Sequence, residues 1–215
     1  MKTRISGLYA LTPDLADTAA LVERVRAALE GGATWVQYRN KAAAPELRRR
    51  QAQALRDLCR VFPAPLIIND SVELAEQIGA DGVHLGAEDG SVREARSRLG
   101  AKIIIGVSCY NSLQRASLAQ EEGADYVAFG SFFGSPTKPG TAVAPPELLS
   151  RAKQCLRLPI VAIGGITPST APTLVEHGAD ALAVISALFD RGDVATAARE
   201  FAGLFSRSRS VGMPS

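Results

Sequence analysis

Gly32-Ala33-Thr34-Trp35-Val36-Gln37-Tyr38-Arg39 returns three more times along the chain with small changes. The later copies are Gly79-Ala80-Asp81-Gly82-Val83-His84-Leu85-Gly86, Gly123-Ala124-Asp125-Tyr126-Val127-Ala128-Phe129-Gly130 and Gly178-Ala179-Asp180-Ala181-Leu182-Ala183-Val184-Ile185. Each opens on Gly-Ala and continues as a short apolar-rich strand. A segment with helical spacing precedes each copy, so the glycine reads as the residue just past a helix end. Helix, glycine stop and strand, repeated around one chain, make a parallel α/β protein. Equivalent positions share a level: the sixth holds Gln37, His84, Ala128 and Ala183, the eighth Arg39, Gly86, Gly130 and Ile185. Polar residues at strand ends of such a fold are where chemistry collects.

Working outward, strands are expected at 7–11, 34–39, 65–69, 82–85, 103–108, 126–130, 159–163 and 181–185. Helices are expected at 17–30, 45–62, 72–78, 91–99, 112–122, 145–156, 170–177 and 194–205. In the second helix Leu47, Leu55, Leu58 and Phe62 share a face, while Arg48, Arg49, Arg50 and Asp57 point elsewhere, so the triple arginine reads as a solvated face. Eight strand–helix units without a Pro/Gly/Ser-rich linker predict a single-domain (β/α)8 TIM barrel over residues 1–205. A doubly wound sheet is the alternative, but it carries fewer strands at this length. The Ser/Arg/Gly/Pro tail at 206–215 is expected to be disordered.

Composition sets limits on function. With 47% hydrophobic and 21% charged residues the chain is an ordinary soluble globular protein. Lys and Arg number 24 against 22 Asp and Glu, and two of the arginines, Arg207 and Arg209, stand in the tail. The body is therefore neutral and offers no electrostatic footprint for nucleic acid or an anionic membrane. No apolar run approaches the ~18–20 residues of a membrane span, and no N-terminal signal is evident. Cys59, Cys109 and Cys155 lack Cys-x-x-Cys spacing and read as reduced thiols of a cytoplasmic protein. Cys59 and Cys155 are expected as small core residues within helices. Self-association into a homo-oligomer stays open.

The strand ends are unusually polar. After strand two, alternation sends Gln37, Arg39 and Lys41 to one side and Val36, Tyr38 and Asn40 to the other. One amide and two cations aimed at a common point suit a phosphate or pyrophosphate. Strand three ends in Asn69-Asp70, and Asp89 follows strand four. Either aspartate alone could be a helix cap, but together, opposite Arg39 and Lys41, they form a candidate Mg²⁺ site completed by phosphate oxygens. His84 is balanced between a core role and a site role, whereas His177 fits a helix C-terminus. The stretch from Gly130 to Gly140 carries hydroxyls and Lys138 between glycines, as an active-site flap would. Gly164-Gly165 after strand seven and Ile185-Ser186 after strand eight occupy the usual backbone phosphate site of barrels.

Taken in order, Gly7-Leu8-Tyr9-Ala10, Val36-Gln37-Tyr38-Arg39-Asn40-Lys41, Ile67-Ile68-Asn69-Asp70, Gly82-Val83-His84-Leu85-Gly86 and Ile105-Gly106-Val107-Ser108 resemble the thiamine-phosphate synthase family. So do Thr137-Lys138, Val161-Ala162-Ile163-Gly164-Gly165-Ile166 and Val184-Ile185-Ser186, and the likeness spans most of the chain. The resemblance implies a transferase that condenses a hydroxymethylpyrimidine pyrophosphate with a thiazole phosphate, giving thiamine phosphate and pyrophosphate. It implies that the segment Gln37, Tyr38, Arg39, Asn40, Lys41, with Asn69 and Lys138, holds the pyrimidine pyrophosphate. It further implies Mg²⁺ on Asp70 and Asp89, and Ser108 on the pyrimidine side. Ser135, Pro136, Thr137, Gly165, Ile185 and Ser186 would hold the thiazole phosphate. Arg39, Lys41, Lys138 and Ser108 would act most directly in turnover. Dissociative chemistry of this kind needs no protein nucleophile, which accords with the lack of a Ser-His-Asp or Cys-His pattern. Three positions depart from the family: Ser71 for Arg, Ala87 for Gln and Ser135 for Thr. The rivals are a thiazole phosphate tautomerase-like paralogue, which would not need the cation–carboxylate half, and a non-catalytic sensor of a phosphate ligand.

Overall fold

The computed structural model describes residues 4–134 and 144–210, with 206–210 described in backbone only. The strands are β1 (Gly7–Leu11), β2 (Ala33–Tyr38), β3 (Leu66–Asn69), β4 (Gly82–Leu85), β5 (Ile104–Tyr110), β6 (Tyr126–Phe129), β7 (Ile160–Ile163) and β8 (Ala181–Val184). All pair in parallel and in chain order, and β8 returns to β1 with Ala10 opposite Val184, so the sheet is a closed barrel. That closure selects the (β/α)8 barrel over a doubly wound sheet, which keeps two free edges.

Around the barrel run α1 (Thr18–Glu30), α2 (Pro45–Val61), α3 (Val72–Ile78), α4 (Val92–Leu99), α5 (Leu113–Glu121), α6 (Glu147–Cys155), α7 (Ala171–Glu176), α8 (Ser186–Phe189) and α9 (Val194–Ser210). Three differences from expectation stand out. The short α8 has no counterpart in the periodicity, because one turn is too brief to leave a pattern. β5 runs on to Tyr110, with a register shift against β6 between Ser108 and Tyr110. α9 continues to Ser210, into the segment expected to be disordered, since extending a formed helix costs far less than starting one.

The four repeats lie on the even-numbered strands. Their glycines, Gly32, Gly79, Gly123 and Gly178, have φ of +103°, +60°, +92° and +102°. Only glycine enters that region without a Cβ penalty, so the helix stop is enforced by backbone geometry. The third repeat position ties the bottom of the barrel together. Asp81, Asp125 and Asp180 each turn an Oδ2 to the first amides of the preceding strand, accepting from Leu66, Ile105 and Ile160 at 2.8, 2.8 and 2.7 Å. In the first copy Thr34 donates instead to the Ser6 and Leu8 carbonyls.

Alternation then stacks the interior in tiers. The fourth repeat position supplies Trp35, Gly82, Tyr126 and Ala181, large and small by turns, so two aromatics fill the floor that Gly82 and Ala181 leave open. Trp35, Tyr9 and Tyr126 meet edge to face, with centroids 6.1 Å apart in each pair. Such contacts add to the burial of the rings. The opposite face of each strand packs with the helices in a second, larger core that includes Leu8, Val36, Ile68, Leu55 and Phe201. With the floor plugged, only the upper tiers remain for a ligand.

Candidate active site

A cavity of about 630 Å³ opens at the C-terminal ends of the strands. Its lining includes every side chain or backbone at the sixth and eighth repeat positions, from Gln37 and Arg39 to Ala183 and Ile185. It also takes in Lys41, Asn69, Asp70, Asp89 and Ser108. Residues read from six separate stretches of sequence thus share one space.

One side of the cavity is charged. Lys41 Nζ lies 3.2 Å from Asp70 Oδ2. Arg39 is held from outside: its Nη1 is 3.2 Å from Asp14 Oδ1, and that same oxygen accepts the Lys41 amide at 2.9 Å. The buried Thr12 hydroxyl clasps the Arg39 backbone, accepting from its N–H at 2.8 Å and donating to its carbonyl at 2.7 Å. Asp14 and Thr12 were not anticipated; they follow β1, and only the β1–β2 pairing brings them to this strand end. Asp70 adopts φ +63°, a left-handed conformation uncommon outside glycine, directly after β3. Asp89 is anchored by the Gly86 N–H, which donates to its Oδ2 at 2.7 Å. Desolvation raises the Asp89 carboxyl above its ordinary range, and the adjacent Asp70 carboxylate adds to the rise, against the Gly86 hydrogen bond and the Lys41 charge. Two carboxylates crowded in this way favour a shared cation or proton.

Tyr38 and Asn40, expected among the ligand contacts, point their side chains away from the cavity. Strand alternation turns both side chains outward to α2, where the Tyr38 hydroxyl and Asn40 Nδ2 donate to Gln51 Oε1 at 2.9 and 3.0 Å. Asn40 also donates to the Leu15 carbonyl and accepts from the Ala43 amide. Their part is to brace the strand end that carries Arg39 and Lys41. Both touch a neighbouring cleft between α2 and α3 rather than the main cavity. Cys155, expected in the core, is exposed, whereas Cys59 and Cys109 are buried.

The floor of the site is a chain of hydrogen bonds spanning five strands. Gln37 Nε2 donates to the Tyr9 hydroxyl at 2.9 Å, which lies 2.9 Å from the Tyr126 hydroxyl. Tyr126 is 2.9 Å from His84 Nδ1, and His84 Nε2 is 2.9 Å from Ser108 Oγ. The His84 and Tyr126 rings also stack, with centroids 5.5 Å apart. The chain links His84, left open between core and site, to the lining of the cavity. It also brings a serine beside a histidine, a pairing that the sequence does not display. The third member here is a phenol held protonated by burial, not a carboxylate, so the arrangement does not build the general base of a hydrolase. Sequence reasoning missed Tyr9 and Tyr126 as site residues; the place of Tyr9 within the Gly7-Leu8-Tyr9-Ala10 motif was the one available signal.

Across the cavity stand Gly164, Gly165, Ile185 and Ser186. Gly165 has φ +64°, and a Cβ there would run into the Phe133 and Gly134 carbonyls, so bare backbone is what fits. Ser135, Pro136, Thr137 and Lys138 lie outside the described residues. Ser71, which departs from the family pattern, accepts from the Leu74 amide at 3.1 Å as the N-cap of α3, while Ala87 lines the cavity.

The sequence profile described as thiamine monophosphate synthase matches residues 8–188. Thiamine-phosphate synthase from Thiobacillus denitrificans is 54% identical over 205 residues, covering 95% of this chain and 97% of its own. The chain belongs to the thiamine monophosphate synthase family. A second relative, thiamine-phosphate synthase from Nitrosospira multiformis, is 52% identical over 96% of this chain and 88% of its own. Among solved structures, thiamine phosphate pyrophosphorylase from Pyrococcus furiosus superposes with a TM-score of 0.85 at 36% identity, covering 94% of this chain and 96% of that one. The cavity is thus two-sided: charged side chains on the β2–β4 side, and Gly164, Gly165, Ile185 and Ser186 on the β7–β8 side. Among the described residues no helix is long and apolar enough to cross a membrane.

Proposed function

We propose that this chain joins 4-amino-2-methyl-5-hydroxymethylpyrimidine pyrophosphate to 4-methyl-5-(2-phosphoethyl)thiazole, forming thiamine phosphate and releasing pyrophosphate. The observation that carries the proposal is the placing of Arg39, Lys41, Asp70 and Asp89 opposite Gly164, Gly165, Ile185 and Ser186 across one cavity. Two anionic substrates need two anion sites facing each other, and the identity to synthases over nearly the whole chain supports the same reading.

The cationic side takes the pyrophosphate. Arg39 and Lys41 neutralise charge that grows as the leaving group departs, and a site that binds growing charge accelerates the step. Asp70 and Asp89 are the residues that would hold Mg²⁺. Among the described residues no group of three or more His, Cys, Asp or Glu forms a closed cage, so the remaining ligands would be water and pyrophosphate oxygens, as Mg²⁺ prefers. The crowding of the two carboxylates fits such an ion, which when bound supplies positive charge beside the leaving group. Gln37, Asn69 and Ser108 orient the pyrimidine over the aromatic floor. Backbone amides at Gly165 and Ser186 suit the thiazole phosphate, which sets the thiazole nitrogen beside the pyrimidine methylene. The bond from that carbon to the pyrophosphate oxygen breaks, the electron pair leaves with pyrophosphate, and the thiazole nitrogen lone pair forms the new C–N bond. No protein nucleophile takes part. Ser135, Pro136, Thr137 and Lys138 enter through the resemblance alone, the first three toward the thiazole phosphate and Lys138 toward the pyrimidine pyrophosphate.

The test is direct: the purified chain with both substrates and Mg²⁺ is expected to yield thiamine phosphate and pyrophosphate in equal amounts, and to stop when a chelator removes the metal. Isomerisation of the thiazole phosphate without coupling would replace the proposal with the tautomerase reading. Binding of either phosphate without turnover would replace it with the sensor.

A further inference from the structure

The hydroxyl of Tyr9 is buried at the bottom of the cavity, and a buried hydroxyl hydrogen requires an acceptor. The Gln37 amide meets it through Nε2, a donor, and so offers no lone pair. The Tyr126 oxygen at 2.9 Å does. Tyr126 must then send its own hydrogen onward to His84 Nδ1, 2.9 Å away. Burial pushes both phenols well above their ordinary range, so both hydrogens are in place at any physiological pH. A neutral imidazole that accepts at Nδ1 carries its hydrogen on Nε2, and Nε2 faces Ser108 Oγ at 2.9 Å. Every donor in the row therefore points the same way, from β2 through β1 and β6 to β4 and β5.

We propose that Tyr9, Tyr126 and His84 form a one-way hydrogen-bond relay that makes Ser108 a hydrogen donor and Gln37 Oε1 an acceptor toward the cavity, and so selects an amino-substituted pyrimidine over its oxo counterpart. The choice of ligand rests on the proposed function; the direction of the relay does not. An aminopyrimidine edge presents an exocyclic N–H donor beside a ring nitrogen acceptor, which complements Gln37 Oε1 and the Ser108 hydroxyl. The oxo form reverses both groups, presenting a carbonyl acceptor beside a ring N–H. It could be matched only if all members of the row turned round together, from the Gln37 amide to the Ser108 hydroxyl. A site built around buried polar groups discriminates strongly in such a case, because the mismatched groups are left unpaired. Tyr9, Tyr126 and His84 are positioning residues in this scheme, since they act through Gln37 and Ser108.

Gly106 makes the row possible. It pairs with His84 on one side and Tyr126 on the other, and its missing side chain lets their rings meet across β5.

The chain contains two histidines, so ¹⁵N NMR of the intact, histidine-labelled protein reads His84 directly, with His84→Gln used to assign its signals. In the ligand-free protein near pH 8, His84 is expected with a protonated Nε2 and a bare Nδ1. A protonated Nδ1 overturns the relay. This measurement needs no substrate, so it stands or falls apart from the condensation assay. The second arm is Tyr126→Phe, which removes the hydrogen delivered to Nδ1. It is expected to leave His84 as a mixture of tautomers and to narrow the preference for the amino- over the 4-oxo-pyrimidine pyrophosphate, read as the ratio of their inhibition or Michaelis constants, by about tenfold. KM for the thiazole phosphate is expected to stay constant. A Tyr126→Phe protein that keeps both a single Nε2–H tautomer and the full amino/oxo preference overturns the proposal. Tyr9→Phe, which leaves the Tyr126–His84 bond intact, is expected to preserve the tautomer.

Discussion

Replacing Gly106 with Ala sets a methyl group inside the ring of Tyr126. An added Cβ would meet Tyr126 Cζ, Cε1 and Oη far inside the 3.4 Å at which ordinary contact begins. The ring would have to retreat by roughly 1 Å in a close-packed interior. Trp35 and Tyr9 stand edge-on to it at 6.1 Å, and His84 is stacked on it at 5.5 Å, so no free direction exists. Retreat also breaks the 2.9 Å hydrogen bonds to Tyr9 and His84. Two lost bonds at about 1 kcal/mol each, with about 1–3 kcal/mol for overpacking, give a destabilisation of about 3–5 kcal/mol. Urea unfolding followed by the fluorescence of Trp35, the single tryptophan, is the assay, because the reporter touches the perturbed ring. The cost should shrink by more than about 1 kcal/mol in a Tyr126→Leu background, where the clash has no ring to strike. A Gly106→Ala protein within about 1 kcal/mol of the parent, or one whose penalty is unchanged by Tyr126→Leu, refutes the reasoning.

Asp125→Ala is expected to cost about 1–3 kcal/mol by stranding the Ile105 amide and losing Arg96, yet to leave both substrate KM values unchanged, as it acts at the far end of the barrel; urea melts and steady-state kinetics check the two halves. Asp89→Asn relieves a carboxylate that the fold disfavours, so the metal-free protein is expected to melt higher at neutral pH while turnover falls, as measured by calorimetry and thiamine phosphate yield. Burial raises the Cys59 and Cys109 thiols from 9.0 to about 12, so in the native protein at pH 8 only Cys155 should react with a disulfide reagent. The unfolded chain gives up those two protons at lower pH than the folded one, so stability should fall as pH rises from 9 toward 12, and Tyr38, raised by burial to about 12, acts in the same direction. Gly203→Ala, where a Cβ meets nothing within 4 Å inside α9, is expected to stabilise by about 0.5–1 kcal/mol in the same urea assay.

The barrel was legible because its repeats are written in backbone terms. A glycine at positive φ and a strand of period two are local requirements, and they recur in the one-letter text wherever the architecture recurs. The alignment of sixth and eighth positions therefore names much of the cavity wall from the sequence. Tyr38 and Asn40 show the limit of reading a contiguous motif as a contiguous surface. Their neighbours Gln37, Arg39 and Lys41 face the cavity, and the same alternation turns these two toward Gln51. α8 and the exposed Cys155 escaped for a related reason: a single turn and a helix end carry too few residues for periodicity to speak.

Charge and spacing in the sequence determined that charged side chains would gather at the strand ends, since Arg39, Lys41, Asp70 and Asp89 stand where strands stop. Pairing and closure of the strands decided how those groups are held. Asp14 reaches Arg39 across 25 positions, and Tyr9 meets Tyr126 across 117. A hydrogen bond depends on distance and direction in space, and neither is encoded in the separation of two residues along the chain until the barrel brings the first strand round to the last.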